Sequence, residues 1–220
     1  MRSGDEVKAW WLEMFGDLLA RPEMFARSGR EMEAVAGWRL RDLCYLDERE
    51  EEFEKVRREL LRYGQFGVHG PFAAIFGEQH SCTAEVASIY AEQFHRLGYL
   101  KVARLEWDSS RSVREWVGEG DVRRSDVLAA FGEPGLRVGS RVLCYAPADG
   151  SGWVFFDCAH DELVRRYVPG KGTYENERPP DDPLIRDVRI PAGTFEERLI
   201  LPLYGRVQRW GVGWWIHHPR

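Results

Sequence analysis

Two short pairs of histidine and cysteine are the residues of this sequence whose types are best suited to chemistry. His80 and Cys82 form one pair, and Cys158 and His160 form the other. Thiolate and imidazole are ligands that Zn²⁺ prefers, and two of each complete a tetrahedron. However, the ligands of zinc modules are usually separated by two to four residues. We therefore expect no metal and no cofactor; if zinc were bound, these four side chains would hold it.

The same residues could also serve an enzyme. Cys158 would be the nucleophile, and His160 or His80 would be the base. Such catalysis needs a thiol of lowered pKa and a base within hydrogen-bond reach, whereas the sequence shows only that the residue types are present. Successive residues of a strand point to opposite faces, so Asp157 and Cys158 are poorly placed to share a site. We expect buried thiols and no catalytic residue. An enzyme with a Cys/His or metal-assisted site ranks third among the functions considered, behind the two protein-binding functions given below.

Phosphate and nucleic acid are poor candidates as ligands. The glycine-rich residues 64–77 are not followed by Lys-Ser or Lys-Thr, and the chain contains no GxGxxG. The first 100 residues hold 13 basic and 18 acidic side chains, so they carry the whole net charge of −5. A nucleic-acid-binding protein would show a basic stripe instead. We expect no direct contact with nucleic acid.

An acidic run at residues 47–54 contains six acids and one base. At the start of a helix, such carboxylates complement the helix dipole and form a solvated face. They would also speed and orient association with a basic protein. We expect Glu50, Glu51 and Glu52 to contribute to binding of that kind.

Tryptophan is abundant, with nine residues in the chain. Trp210, Trp214 and Trp215 lie in a predicted C-terminal hairpin that pairs residues 206–210 with 214–218. In a strand, Trp214 and Trp215 would face opposite sides, so one would pack in the core and the other would be exposed. An exposed Trp on a rigid hairpin is typical of a binding anchor, and we expect Trp214 or Trp215 to serve as one; the alternative is that neighbouring loops cover both side chains.

Hydrophobic residues recur at helical spacing through the first hundred positions. The pattern predicts a helix ending before Arg21-Pro22, a second with Ser28 and Glu31 as a capping box, and two more over about 48–63 and 83–97. Residues 64–80 are predicted to form an irregular connection.

The remaining residues favour strands, apart from a short helix capped by Ser125. Strands are predicted at 99–107, 141–146, 153–158, 185–190 and 198–204, with a polar surface loop at 169–183. Helices followed by strands indicate an α+β fold, with an N-terminal helical layer packed on a mainly antiparallel sheet. We expect a single domain over 1–220, helical to about residue 98 and β-rich from about 99.

Residues 124–158 resemble the helix–hairpin unit of the β-lactamase-inhibitor-protein and outer-membrane-assembly-lipoprotein group. A short helix ends in Phe131-Gly132-Glu133-Pro134, and two strands follow. In that group the unit mediates protein–protein contact without catalysis. In type, the whole chain also resembles the immunity proteins of bacterial toxin systems, which are often acidic, tryptophan-rich α+β domains.

The N-terminal residues lack the apolar core of a secretory signal, and no stretch approaches the roughly 18 apolar residues of a membrane span. We therefore expect a cytoplasmic protein with reduced thiols and no membrane partner. The function we expect is non-enzymatic binding of another, possibly basic, protein, most concretely as an immunity or inhibitor protein that masks a toxin or effector. The alternative is a structural or adaptor subunit of a larger assembly.

Overall fold

The computed structural model describes the chain except for residues 1–2, 65–66, 78–80, 106–109, 119, 149, 151, 160–162, 169, 171, 178–180, 193 and 212–220. For residues 104–105, 110–112, 163–168 and 172–177, the description is limited to the backbone. No helix in the described ranges combines the length and apolar character needed to cross a membrane.

Five helices occupy the N-terminal part: α1 (Gly4–Ala20), α2 (Gly29–Leu46), α3 (Glu50–Leu60), α4 (His69–Phe76) and α5 (Thr83–Arg96). Ser28 caps α2 by accepting a hydrogen bond from the Glu31 N–H, as predicted. The Glu31 carboxylate accepts from the N–H of Arg27 rather than from that of Ser28, so the predicted capping box is half formed. A short 3-10 turn, Leu61–Tyr63, continues α3.

The main sheet has six strands: β1 (Arg104–Leu105), β2 (Leu136–Val138), β3 (Val142–Pro147), β4 (Val154–Cys158), β7 (Ile185–Arg189) and β8 (Leu199–Ile200). Their order is β1–β3–β4–β7–β8, and β2 also pairs with β3. All these pairs are antiparallel except β1 with β3. A separate antiparallel hairpin joins β5 (Leu163–Val168) to β6 (Gly172–Glu177).

Helices cover both faces of the sheet. Cys144 and Phe155 face the core shared with α1, α2 and α5, where Phe15 stacks on Phe94. Alternate strand residues face a second core, which includes residues of α6 (Ser110–Val117) and α7 (Arg124–Phe131). The two central strands, β3 and β4, are therefore buried along their whole length. The chain is an α+β protein whose N-terminal helices pack on a mainly antiparallel sheet.

Several predicted elements differ in the structure. Residues 69–76 of the predicted irregular connection form α4, and residues 110–117 form a helix that was not predicted. The polar loop predicted at 169–183 contains β6, whose backbone is paired by β5 although its sequence is not apolar. Over the described residues, two predicted strands are shorter. Residues 104–105 of 99–107 form a strand, with 106–107 outside the described residues, and 199–200 of 198–204 form the other.

Two local predictions were wrong. The helix predicted to be capped by Ser125 begins at Arg124, with Arg123 as its N-cap and the carboxylate of Asp126 accepting from the Arg123 N–H. The first strand of the predicted C-terminal hairpin, residues 206–210, belongs to a helix, α9 (Leu203–Trp210). The Arg206 N–H donates to the Pro202 oxygen, four residues earlier, as in a helix. The second strand, 214–218, lies outside the described residues.

Close contact between α9 and β7 depends on Gly205. A Cβ atom at this buried position would lie 1.9 Å from the backbone oxygen of Arg186. Gly205→Ala should therefore destabilise the protein by about 1–3 kcal/mol, because the helix must move away from the strand.

Gly16 provides the matched control for that change. It lies inside α1, and a Cβ atom there would meet nothing within 4 Å. Gly16→Ala should stabilise the protein by up to about 1 kcal/mol, since alanine favours a helix. Urea unfolding measures the free energy of unfolding of each variant. Equal changes in that free energy for Gly205→Ala and Gly16→Ala would show that α9 does not depend on its close approach to β7.

Candidate functional site

The predicted Cys/His site is only partly described. Cys82 and Cys158 are both fully buried free thiols, and His80 and His160 lie outside the described residues. Burial, followed by the nearby carboxylate of Asp157, raises the pKa of Cys158 to about 12. Burial and then Glu85 likewise raise the pKa of Cys82. A thiol that resists ionisation is a poor nucleophile, so the geometry gives no support to a thiolate enzyme.

Among the described residues, no three His, Cys, Asp or Glu side chains are grouped so that they could hold a metal ion. The set of His80, Cys82, Cys158 and His160 cannot be placed as a whole, because its two histidines are not described. The expectation of no zinc stays a prediction.

A buried cluster of charged side chains joins α5 to the sheet. Its three acids and three bases are Glu85, Asp157, Asp187, Arg141, Arg186 and Arg189. Each of them is at most 5% exposed. The charges of its three acids and three bases cancel only if all six groups are ionised, so the net charge of the cluster depends on the protonation of its carboxyls.

Arg186 is the centre of this cluster. One of its terminal nitrogens, Nη2, donates to Glu85 at 2.5 Å and to Asp157 at 2.7 Å. Arg141 donates to the same Glu85 oxygen at 2.9 Å. The guanidinium of Arg186 also lies 3.9 Å from the ring centroid of Phe76 in α4. These contacts hold α5, α4 and three strands in one arrangement.

The two central carboxyls have opposite pKa shifts. Burial alone would raise the pKa of Glu85, but Arg141 and Arg186 hold it below its usual range. Burial raises the pKa of Asp157 from 3.8 to about 8, against the lowering effect of Arg186. Glu85 is therefore the ionised partner of both arginines, whereas Asp157 holds its proton near neutral pH.

Neutralising these two carboxyls should have unequal effects. Glu85→Gln leaves Arg141 and Arg186 short of a buried counter-charge and should cost about 3–5 kcal/mol. Asp157→Asn replaces a largely protonated group with a neutral one of similar shape, so it should cost roughly 1 kcal/mol at most at low pH and should be neutral or stabilising near neutral pH, where ionisation of Asp157 favours the unfolded chain. Urea unfolding of both variants tests this, and an equally large loss in Asp157→Asn would show that Asp157 is ionised in the folded protein.

The pH dependence gives a second test of the Asp157 assignment. The folded protein holds this proton more tightly than the unfolded chain, so the carboxyl favours folding below pH 3.8. That contribution is lost as pH rises toward about 8. Wild-type stability, measured relative to Asp157→Asn, should therefore fall across this window. A relative stability that rises with pH would contradict the assignment.

The predicted acidic residues lie at the start of α3. Glu50 and Glu51 are exposed, and within the described part of the chain neither forms an ion pair. Glu52 is different, because it pairs with Arg49 at 2.5 Å while Arg49 also donates to the backbone oxygen of Leu97. Two of the three predicted acids are thus open to a partner, and the third is part of the folded structure.

The outer face of α2 carries two large exposed aromatic side chains. Trp38 is 61% exposed and Tyr45 is 69% exposed. With Arg41 and Asp42 they follow the spacing i, i+3, i+4 and i+7, which places all four on one side of a helix over about 10 Å. Trp38 and Tyr45 were not selected from the sequence, where the signal was a Trp on the flank of a predicted helix. Exposed aromatic rings in an ordered helix are typical of binding anchors.

A shallow groove joins this aromatic face to the acidic residues. Its volume is about 400 Å³, and it is lined by Arg41, Asp42, Tyr45, Glu50, Phe53 and Glu54. Arg41 pairs with Asp42 at 2.9 Å. We call this groove, together with Trp38 and Glu51, the α2–α3 face. Its acids outnumber its bases, so it favours a basic partner.

The other predicted anchors, Trp214 and Trp215, lie outside the described residues. The structure therefore brings Glu50 and Tyr45 together in one groove, with Trp38 about two turns from Tyr45 on α2.

Comparison with known proteins adds no identity. The chain matches no protein-family model, no curated protein and no solved structure.

Proposed function

We propose that this chain is a non-enzymatic protein-binding protein, an immunity or inhibitor protein, whose α2–α3 face covers a basic surface of a toxin or effector. The observation that carries the proposal is the pair of exposed aromatic side chains, Trp38 and Tyr45, beside an acidic groove. Large aromatic residues on a rigid helix supply contact area at low entropic cost. The acids next to them select the sign of the partner's charge.

The aromatic and the acidic residues of the α2–α3 face would affect different steps of binding. Burying Trp38 and Tyr45 against a partner removes apolar surface from water and would mainly slow dissociation. Glu50 and Glu51 would act earlier, since their negative potential attracts a basic partner and is screened by salt beyond about 8–10 Å. The partner is therefore a protein with a basic surface that contains an apolar pocket or ridge.

The enzyme alternative gains nothing from the described residues. The thiols of Cys82 and Cys158 are buried, and their pKa values are raised.

Removing the aromatic side chains should abolish stable association. Immobilised wild-type protein should retain one basic protein in stoichiometric amount from the source cells. Trp38→Ala with Tyr45→Ala should lose it, with little change in the melting temperature because both side chains are mostly exposed. Met24→Ala, which removes a side chain 73% exposed outside this face, is the matched control. Retention of the same protein by the double variant, or the absence of a stoichiometric protein with wild type, would refute the proposal.

Reversing the acidic charges should act on the association rate. Glu50→Lys with Glu51→Lys should slow association several-fold at low salt, and the effect should fade at high salt. Glu52 is left intact because it pairs with Arg49. Surface plasmon resonance with the recovered partner measures the rate. Glu115→Lys with Glu133→Lys changes the total charge equally elsewhere and should have a smaller effect; equal slowing would show that only net charge matters.

A further inference from the structure

A second concave region shares no lining residue with the α2–α3 face. It is a cleft of about 330 Å³ between α5, the 3-10 turn after α3, the segment leading into β4, and α8 (Phe195–Arg198). This volume suits a small organic molecule rather than a protein side chain.

The apolar side of the cleft is formed by aromatic rings. Trp153, Phe155 and Phe195 are 5%, 3% and 4% exposed, and Tyr63 and Ile89 complete this wall. The wall favours an apolar or aromatic group on the ligand.

Two hydrogen-bond acceptors come from successive residues of α5. One carboxylate oxygen of Glu92 accepts from the backbone N–H of Trp153 at 2.8 Å, and among the described residues no partner is found for the other. Gln93 is 7% exposed, and its side-chain oxygen makes no hydrogen bond to the described residues. Burial raises the pKa of Glu92 despite the opposing effects of the Trp153 N–H and of Arg198, so a cation beside it would offset the cost of its charge.

Two donors come from the opposite side. Arg198 donates to the Tyr63 hydroxyl at 2.6 Å and to the backbone oxygen of Ala192 at 2.7 Å. Within the described part of the chain, Arg198 pairs with no carboxylate. Arg189 is 2% exposed; it pairs with Asp187 and donates to the Ser88 hydroxyl at 3.0 Å, and its remaining nitrogen, Nη2, makes no hydrogen bond to the described residues. Buried polar groups are rarely left without partners, so these atoms point to a ligand.

We infer that this cleft binds a free apolar α-amino acid, with its ammonium group held by Glu92 and Gln93 and its carboxylate held by Arg189 and Arg198. The aromatic wall would take the side chain. An amino acid supplies both charges on adjacent groups, which matches acceptors on α5 and donors on β7 and α8. A simple cation would leave Arg198 without a counter-charge, and a simple anion would leave Glu92 without one.

Binding is tested with L-phenylalanine and L-leucine by isothermal titration calorimetry on the full chain. Two probes each lack one charge: phenethylamine lacks the carboxylate, and 3-phenylpropanoate lacks the ammonium group. At least one of the two amino acids should bind, and both single-charge probes should bind about tenfold more weakly or worse. Equal binding of either single-charge probe would overturn the inference, as would the absence of binding by both amino acids at ~10 mM.

Glu92→Gln is the decisive variant, because glutamine can still accept from the Trp153 N–H and so preserve the fold. It should weaken amino-acid binding about tenfold or more, since a charge-assisted hydrogen bond is lost. Gln93→Leu should act in the same direction. Glu133→Gln, on an exposed carboxylate outside the cleft, should leave affinity unchanged. Unchanged affinity in a folded Glu92→Gln protein would place the binding elsewhere.

This inference is independent of the protein-binding proposal. The cleft and the α2–α3 face share no lining residue. Loss of partner binding in Trp38→Ala with Tyr45→Ala should therefore leave amino-acid binding intact, and failure of one proposal does not decide the other.

Discussion

The buried charge cluster between α5 and the sheet is the interaction on which the arrangement of the layers depends. A helix that packs on a sheet through apolar side chains alone can slide at modest cost, because dispersion and burial have little directionality. Hydrogen bonds from Arg141 and Arg186 to one oxygen of Glu85 cannot slide in this way. The register of α5 on β3, β4 and β7 is fixed by charge, and the apolar core fills the space around it.

The same cluster occupies one of the two buried faces of the sheet. Arg186, Asp187 and Arg189 occupy β7, a strand whose every residue is buried. Such a strand tolerates charge only where each group has a partner. The first core and the cluster occupy one side of the sheet, and α6 and α7 close the other side over Tyr145 and Phe156. The interior therefore has an apolar core on each side of the sheet, and the charged cluster lies on the side that faces α5.

Helices with a clear apolar period were predictable from the sequence, and so was the pair of central strands. Residues whose role depends on distant partners were not. From the sequence, Glu85 would be predicted to be an ordinary exposed acid in the first turn of a helix. Its burial can be understood only from the structure, where Arg186 lies beside it. The strand predicted at 206–210 was wrong for a related reason, because a short segment with only two apolar residues, Val207 and Trp210, fits strand and helix equally well until its packing on β7 is known.

The functional residues divide in the same way. Glu50 and Glu51 were found because a run of like charges is visible in any sequence. Trp38 and Tyr45 were missed because exposure is decided by which face of α2 is covered by α1, α3 and α5. The cleft residues Glu92 and Arg198 are more than 100 positions apart, so no local pattern links them.

The charge cluster also has a consequence for synthesis of the chain. Glu85 bonds to Arg186, which follows it by 101 positions. At ~5–20 residues per second, Glu85 leaves the ribosome roughly 5–20 s before Arg186 does. During that interval the apolar faces of α1, α2 and α5 have no sheet to cover them, and Glu85 has no arginine. The nascent helical half is therefore a natural client for a chaperone, and its folding is completed only when β7 has been made.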